Sequence, residues 1–429
     1  MKYGGSSALD PLCPEDELNV IAALKQSDRV SSISLTVTTS LLDKLYAIER
    51  PFLELEDLIL LSRDLARDST MPLTLPSTFL WGPRLRRLHL TRIGIPRLLH
   101  LLYSSKGLED LQLHEALDPR YVSIEGLTGA LSEMAQLRSL SLHFSTTTNH
   151  SPPSPPDRRV LRLPALTRLK FRGPAEYLER LILRMDAPCL GDIQVKVSEN
   201  VSYNLSRLGE FINWIEMHKS HYQAHILSSE RAISISLRQH RASTCFKFLL
   251  LSEQLSEQLF AMSYILPGFS AILSNVEDLR ISAMQASSQE DSFYSGRWLG
   301  LLNSFIGVKW LHLDGNHSTD IVLALQGMSR WHKTVLPALY KLYLPQTGPH
   351  HAPLSEVIVS FMTSCSCSGH PIGVEYERLC CISKLHEKGT SLCKCLYGLS
   401  STLRTNFLKW DLFLSQSQLI MRCSTMTSF

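Results

Sequence analysis

The residues best suited to chemistry stand late in the chain: Cys365-x-Cys367, His370, Cys380-Cys381, His386 and Cys393-x-Cys395. Structural zinc takes four thiolate or imidazole ligands in a tetrahedral array, commonly delivered as C-x2–4-C pairs. C-x-C and C-C spacings separate the thiolates by too few residues for that knuckle. Cys380, Cys381, His386, Cys393 and Cys395 therefore stand as metal candidates beside the alternative of unpaired, reduced cysteines. His89, His114 and His143 recur at wide, similar intervals. Neutral imidazoles bind metals and relay protons, and strands about 4.8 Å apart could stack them. Yet His89 and His114 take different offsets and no carboxylate partner is specified, so polar filler on an exposed face is the expectation. Arg168, Lys170 and Arg172 alternate into a row of charge suited to acidic or phosphorylated segments. The same row would also simply solubilise an exposed strand. Trp310 is either an exposed interface anchor or buried beneath the following helix. Neither G-x-x-x-x-G-K-[ST] nor G-x-G-x-x-G occurs, and G-x-S-x-G and H-E-x-x-H are missing too. No enzymatic activity and no cofactor are expected.

Alternation of this kind requires strands, and the apolar letters between the polar ones supply them. L-x-x-L-x-L is written in full as Leu55/Leu58/Leu60, Leu85/Leu88/Leu90, Leu108/Leu111/Leu113 and Leu137/Leu140/Leu142. Looser copies are Val30/Ile33/Leu35, Leu166/Leu169/Phe171, Leu190/Ile193/Val195, Val276/Leu279/Ile281, Val308/Leu311/Leu313 and Leu339/Leu342/Leu344. From Val30 to Leu190 the copies start 23 to 30 residues apart. That is close to the period of about 20–29 of a leucine-rich repeat. Proline stands two residues before the first apolar position at Pro83, Pro164, Pro188 and Pro337. Lacking an N–H, it suits the entry to a strand.

Helical periodicity fills the intervals, as from Ser40 to Ile48, Pro96 to Tyr103, Ile124 to Met134, Tyr177 to Met185 and Leu205 to Met217. A strand–helix unit cannot bury its apolar face alone, but stacked neighbours can. The expected fold is therefore α/β: a horseshoe-like leucine-rich-repeat solenoid of irregular repeats, with a poorly defined C-terminal tail. Residues 1–27 form a lead-in, 28–345 the array and 346–429 the Cys-rich segment. The Pro-rich stretch 145–159 reads as an inserted loop. Between Val197 and Asn275, Ile233-x-Ile235-x-Leu237 and Phe246-x-Phe248 read as strands and Glu253 to Ile265 as a helix. This stretch is taken as irregular repeats. The positions between the apolar letters face outward. They place Arg87, His89, Gln112, His114, His143, Arg168, Lys170, Arg172, Trp310 and His312 on the concave surface solenoids use for binding.

Composition narrows the class. Of 429 residues, 44% are hydrophobic and 19% charged, so the chain can bury a core and is not mainly disordered. A net charge of +3 argues against a dedicated nucleic-acid binder. No apolar run approaches the roughly 20 residues of a membrane helix, and Met1 to Ser6 lacks a secretory apolar stretch. A cytoplasmic or nuclear place is expected.

Three stretches carry a family likeness: Pro14 to Val30, Trp81-Gly82-Pro83-Arg84-Leu85, and Asp186-Ala187-Pro188-Cys189-Leu190-Gly191-Asp192-Ile193. Together they resemble the leucine-rich region of the F-box-type proteins of mushroom-forming fungi, from about Pro14 to Thr363. The resemblance implies a subunit of a cullin–RING ubiquitin ligase, whose repeats hold the ubiquitination substrate and whose F-box binds the ligase adaptor. No L-P-x-E-[IL]-like opening precedes Asp28. Adaptor binding is therefore expected only if an F-box lies upstream of Met1. The function expected is non-catalytic recognition of a protein partner. The alternatives are a structural or decoy scaffold outside any ligase, and a zinc-binding tail attached to repeats.

Overall fold

The structure, a computed structural model, is described for residues 14–46, 48, 51–62, 73–74, 83–94, 98–117, 124–144, 160–197, 205–215, 222–229, 231–239, 245–252, 255–283, 295–315, 318–329, 335–345, 352–367 and 371–377. The chain divides into two compact units, residues 1–344 with 349–375 and residues 345–348 with 376–429. The elements below belong to the first, apart from the final residues of its last two strands.

Among the described residues, fourteen strands form one sheet. In chain order they are β1 Ser32–Val37, β2 Asp57–Ser62, β3 Arg87–Thr91, β4 Asp110–Leu117, β5 Ser139–Phe144, β6 Arg168–Gly173 and β7 Asp192–Val197. There follow β8 Tyr222–Ser229, β9 Ala232–Gln239, β10 Cys245–Leu251, β11 Val276–Ala283, β12 Trp310–Gly315, β13 Lys341–Pro345 and β14 Gly373–Glu377. Each strand from β2 to β7 pairs in parallel with the one before it. The motif copies set that register: Leu88, Leu111, Leu140, Leu169 and Ile193 stand opposite one another across five strands.

Burial follows the motif. The three apolar positions of each copy from Leu55 to Leu190 are buried, and strand burial alternates, as in β1 and β7. Fully burying one leucine contributes about 1.5–3 kcal/mol, so each repeat gains most of its stability from neighbours rather than from itself. A tight turn precedes the strand. The N–H of the first apolar residue donates to the carbonyl three residues earlier: Leu108 to Ser105, Leu137 to Met134, Leu166 to Leu163, Leu190 to Ala187 and Leu339 to Leu336. Those five carbonyl-bearing residues are themselves buried. Pro164, Pro188 and Pro337 occupy the second turn position, where a fixed φ near −65° is favoured. The prolines thus shape the turn before the strand rather than the strand itself. One residue later each repeat joins the next. The Glu56 carbonyl accepts the N–H groups of both Arg86 and Arg87, the Arg86 carbonyl those of Glu109 and Asp110, and the Glu109 carbonyl those of Arg138 and Ser139.

Helices close the other side of the repeats. They include α1 Pro14–Leu24, α2 Thr39–Tyr46, α3 Leu98–Ser104, α4 Ile124–Ser132, α5 Ala175–Ile182, α6 Ser206–Trp214, α7 Leu255–Ile265, α8 Ser270–Leu273, α9 Ser295–Leu302, α10 Ser318–Ser329 and α11 Ala352–Cys367. Neighbours pack in sequence, α3 on α4, α4 on α5, α5 on α6, then α9 on α10 and α10 on α11. Every helix read from periodicity is present within a few residues of its expected ends. The sheet also runs one strand past residue 345, where the motif spacing ends: α11 and β14 complete another strand–helix step.

The stretch between Val197 and Asn275 differs most from a regular repeat. Spatial order there is β7-β10-β9-β8-β11. β8, β9 and β10 form an antiparallel meander, whose outer strands pair in parallel with β7 and β11. The chain therefore crosses to the far side and zigzags back, continuing the sheet without a repeat motif. Buried Gln258 of α7 anchors this insertion, its Nε2 donating to the Ser252 carbonyl at 2.9 Å and the Ser229 carbonyl at 3.2 Å. Among the described residues no helix is long and apolar enough to cross a membrane.

Where α6 meets the 3-10 turn Leu266–Phe269, the backbones approach so closely that a Cβ on Gly209 would lie 2.2 Å from the Gly268 carbonyl oxygen. Backbone cannot yield as a flexible side chain does, so overpacking outweighs the helix propensity alanine would gain. Gly209→Ala should cost about 1–3 kcal/mol, read as a lower urea midpoint with an unchanged slope.

Candidate functional site

With the helices packed behind the sheet, the side chains between the buried motif positions point the other way. Strand register arranges them in three rows. The first runs Asp57, Arg87, Asp110, Ser139, Arg168 and Asp192. The second runs Ile59, His89, Gln112, Ser141, Lys170, Gln194 and Lys247. The third runs Thr91, His114, His143, Arg172 and Lys196.

The first row pairs both of its cations. Arg87 grips Asp57 with Nε at 2.5 Å and a terminal nitrogen at 2.6 Å, which raises the guanidinium above its ordinary value. Arg168 Nε lies 3.3 Å from Asp192, which also accepts from Gln194 at 3.2 Å. Gln112 donates likewise to Asp110 at 3.2 Å. Pairs this exposed contribute about 0–1 kcal/mol each. Their main effect is on charge, because Arg168 is removed from the basic row expected of Arg168, Lys170 and Arg172.

Charge survives in the next two rows. Among the described residues, Lys170, Arg172 and Lys196 form no ion pair, and the Nε of Arg172 is buried without a hydrogen-bond partner. Burial pulls the Arg172 guanidinium below its ordinary value, against a smaller upward pull from Glu115. Burial, helped by Arg172, lowers the Lys196 ammonium to about 8. Glu115 itself is engaged by Arg92 at 2.6 Å. These two partners hold left-handed backbone, φ 58° at Arg92 and 52° at Glu115. Such conformations cost non-glycine residues of order 1–3 kcal/mol. They occupy the equivalent position after Thr91 and His114 and turn the chain off the face beside the cations.

The three histidines do meet. His114 and His143 share a register position, and the His89 and His114 rings are 5.2 Å apart, His114 and His143 5.8 Å, both edge to face. His114 Nε2 lies 2.9 Å from the Ser141 hydroxyl. Burial lowers all three imidazoles, to about 4 at His114 and about 3 at His143, where Arg172 adds repulsion. They are neutral at pH 7. No group of three or more His, Cys, Asp or Glu among the described residues is placed to hold a metal. Cys380, Cys381, His386, Cys393 and Cys395 lie outside the described residues.

The far end of the face is aromatic. Trp310 is 37% exposed, so it is not sealed beneath the following helix. Beside it His312 stacks on Tyr343, ring centres 4.2 Å apart and nearly parallel, with its Nε2 3.4 Å from Asp278. Lys341 Nζ lies 5.1 Å from the Tyr343 ring centre. Between the two ends, His225 of the meander bonds Ser282 at 3.0 Å and is lowered by burial to about 4.

Two of these residues escaped the sequence reading for different reasons. Lys196 repeats the position of Arg172 one copy later and was legible from Leu190/Ile193/Val195. His225 sits on a strand with no motif, and only the tertiary pairing of β8 brings it to this face.

No protein-family model matches the chain, and none of the curated proteins matches it. Among solved structures, the chain is similar to the leucine-rich repeat-containing protein LegL7 from Legionella pneumophila, at 13% identity and a TM-score of 0.27. That match covers 78% of this chain and 91% of the other. The repeat architecture of this chain rests on its own strand register and buried motif positions.

Depressed imidazoles set a pH response. An unfolded histidine takes up its proton near 6.5, whereas His114 and His143 resist until about 4 and about 3. The unfolded chain therefore binds more protons between those limits, and stability falls as pH drops from about 6.5 toward 3. Above 6.5 both states are neutral and this contribution is flat. Urea titrations at several pH values should show a shallower acid loss for His143→Gln than for the parent; equal slopes would count against it.

Proposed function

We propose that this chain is a non-catalytic recognition protein whose open sheet face captures a protein partner. One observation carries the reading. The motif buries alternate side chains and leaves the other set, from Asp57 to Tyr343, arrayed in register on one face. Long solenoid faces of this kind serve extended contact, and an exposed tryptophan such as Trp310 is the type of residue that anchors interfaces.

A photo-reactive amino acid placed at Gln112 or Trp310 should cross-link a partner in cells, while one at Glu133 or Tyr264 on the helix side should not. Cross-linking confined to the helix side would overturn the reading. The likeness to F-box-type proteins makes the partner a substrate of a cullin–RING ligase, met in the cytoplasm or nucleus. On that reading, and only with an F-box upstream of Met1, the protein co-precipitates with the ligase adaptor; capture of partner without adaptor would instead fit a scaffold outside the ligase.

A further inference from the structure

Among the described residues, the cations of the first row are paired and the far end of the face is aromatic, which sets one cationic cluster apart. Arg172 and Lys196 are register partners on β6 and β7, and Lys170 lies two residues from Arg172 on the same face of β6. Adjacent strands are about 4.8 Å apart and alternate residues about 6.6 Å, so three cationic side chains rise from one small patch. Among the described residues the neighbouring carboxylates are already committed, Asp192 to Arg168 and Gln194, and Glu115 to Arg92. The buried Arg172 Nε–H has no acceptor among the described residues. A buried donor left unsatisfied is unfavourable, and an arriving anion removes that cost.

We propose that Lys170, Arg172 and Lys196 form a subsite for a phosphate monoester borne on a segment of the protein partner; this rests on the recognition face proposed above. A carboxylate brings one charge and leaves two cations unanswered. A phosphomonoester brings about −1.5 to −2 at neutral pH and three acceptor oxygens. Guanidinium groups bind such oxygens through paired N–H donors, and two ammonium groups complete the set. Neutral His143, next in register to Arg172, adds no competing charge. The patch lies mid-face, so residues flanking the phosphate meet Gln112 and Ser141 on one side and Gln194 on the other. A nucleic-acid backbone fits poorly, because Asp192 stands on β7 with Lys196 and on the strand next to Lys170.

The test uses the full chain and two degenerate peptide libraries, identical but for a central phosphoserine or serine. Retention of the phosphoserine library should exceed that of the serine library by about tenfold or more, the equivalent of one charge-assisted contact. Arg172→Met and Lys196→Gln should each remove most of that preference while leaving the urea midpoint near the parent value. Should Arg172→Met lower the midpoint, Lys196→Gln with Lys170→Gln carries the test. Affinity should peak between about pH 6, where the monoester gains its second charge, and about pH 8, where Lys196 loses its own. Equal retention of both libraries, or a preference indifferent to Lys196, would overturn the subsite. Binding to phosphoinositide vesicles or inorganic phosphate without peptide retention would overturn its assignment to a protein segment. The two proposals separate cleanly. Open-face cross-linking that persists after phosphatase treatment keeps the recognition face and removes the subsite, while loss of open-face cross-linking altogether removes the face.

Discussion

Each repeat of this protein presents more apolar surface than it can hide by itself, and everything else follows from how neighbours hide it. Leu85, Leu88 and Leu90 are buried because Leu55, Leu58 and Leu60 lie on one side and Leu108, Leu111 and Leu113 on the other. A parallel register is the arrangement that matches the copies, and it fixes the exposed side chains as firmly as the buried ones. Slipping by one residue would exchange the two faces. The carbonyl before each strand, accepting two N–H groups from the next repeat, holds that register at its entry.

This constraint explains why charge on the face is organised by column. Residues thirty apart in sequence, such as Asp57 and Arg87, become neighbours and neutralise each other. Arg168 and Asp192 do the same across one strand. Where consecutive copies carry the same sign at the same position, as at Arg172 and Lys196, the stack concentrates charge instead. Near-neutral composition thus conceals a local excess that only register creates.

The meander shows what the constraint tolerates. β8 to β10 carry no full motif, yet Ile226, Ile235 and Phe248 continue the buried row through antiparallel pairing. Edge-to-edge hydrogen bonding accepts either direction, provided that alternate side chains stay apolar. Gln258 satisfies backbone groups where the strands end, which a repeat turn does elsewhere.

The sequence alone determined the repeat, the ten motif strands, most helices and which side chains leave the core, because period and alternation are local properties. His89, Gln112, His114, Lys170 and Arg172 were legible as outward residues for the same reason. Which of them remain charged and available was not legible. Arg168 looked equivalent to Arg172 until Asp192 was placed beside it, and His225 had no motif to announce its strand. The antiparallel order of β8 to β10 was equally hidden, since alternation does not encode strand direction. Pairing between residues far apart in the chain is set by how repeats stack, and that is where tertiary structure decided the character of the face.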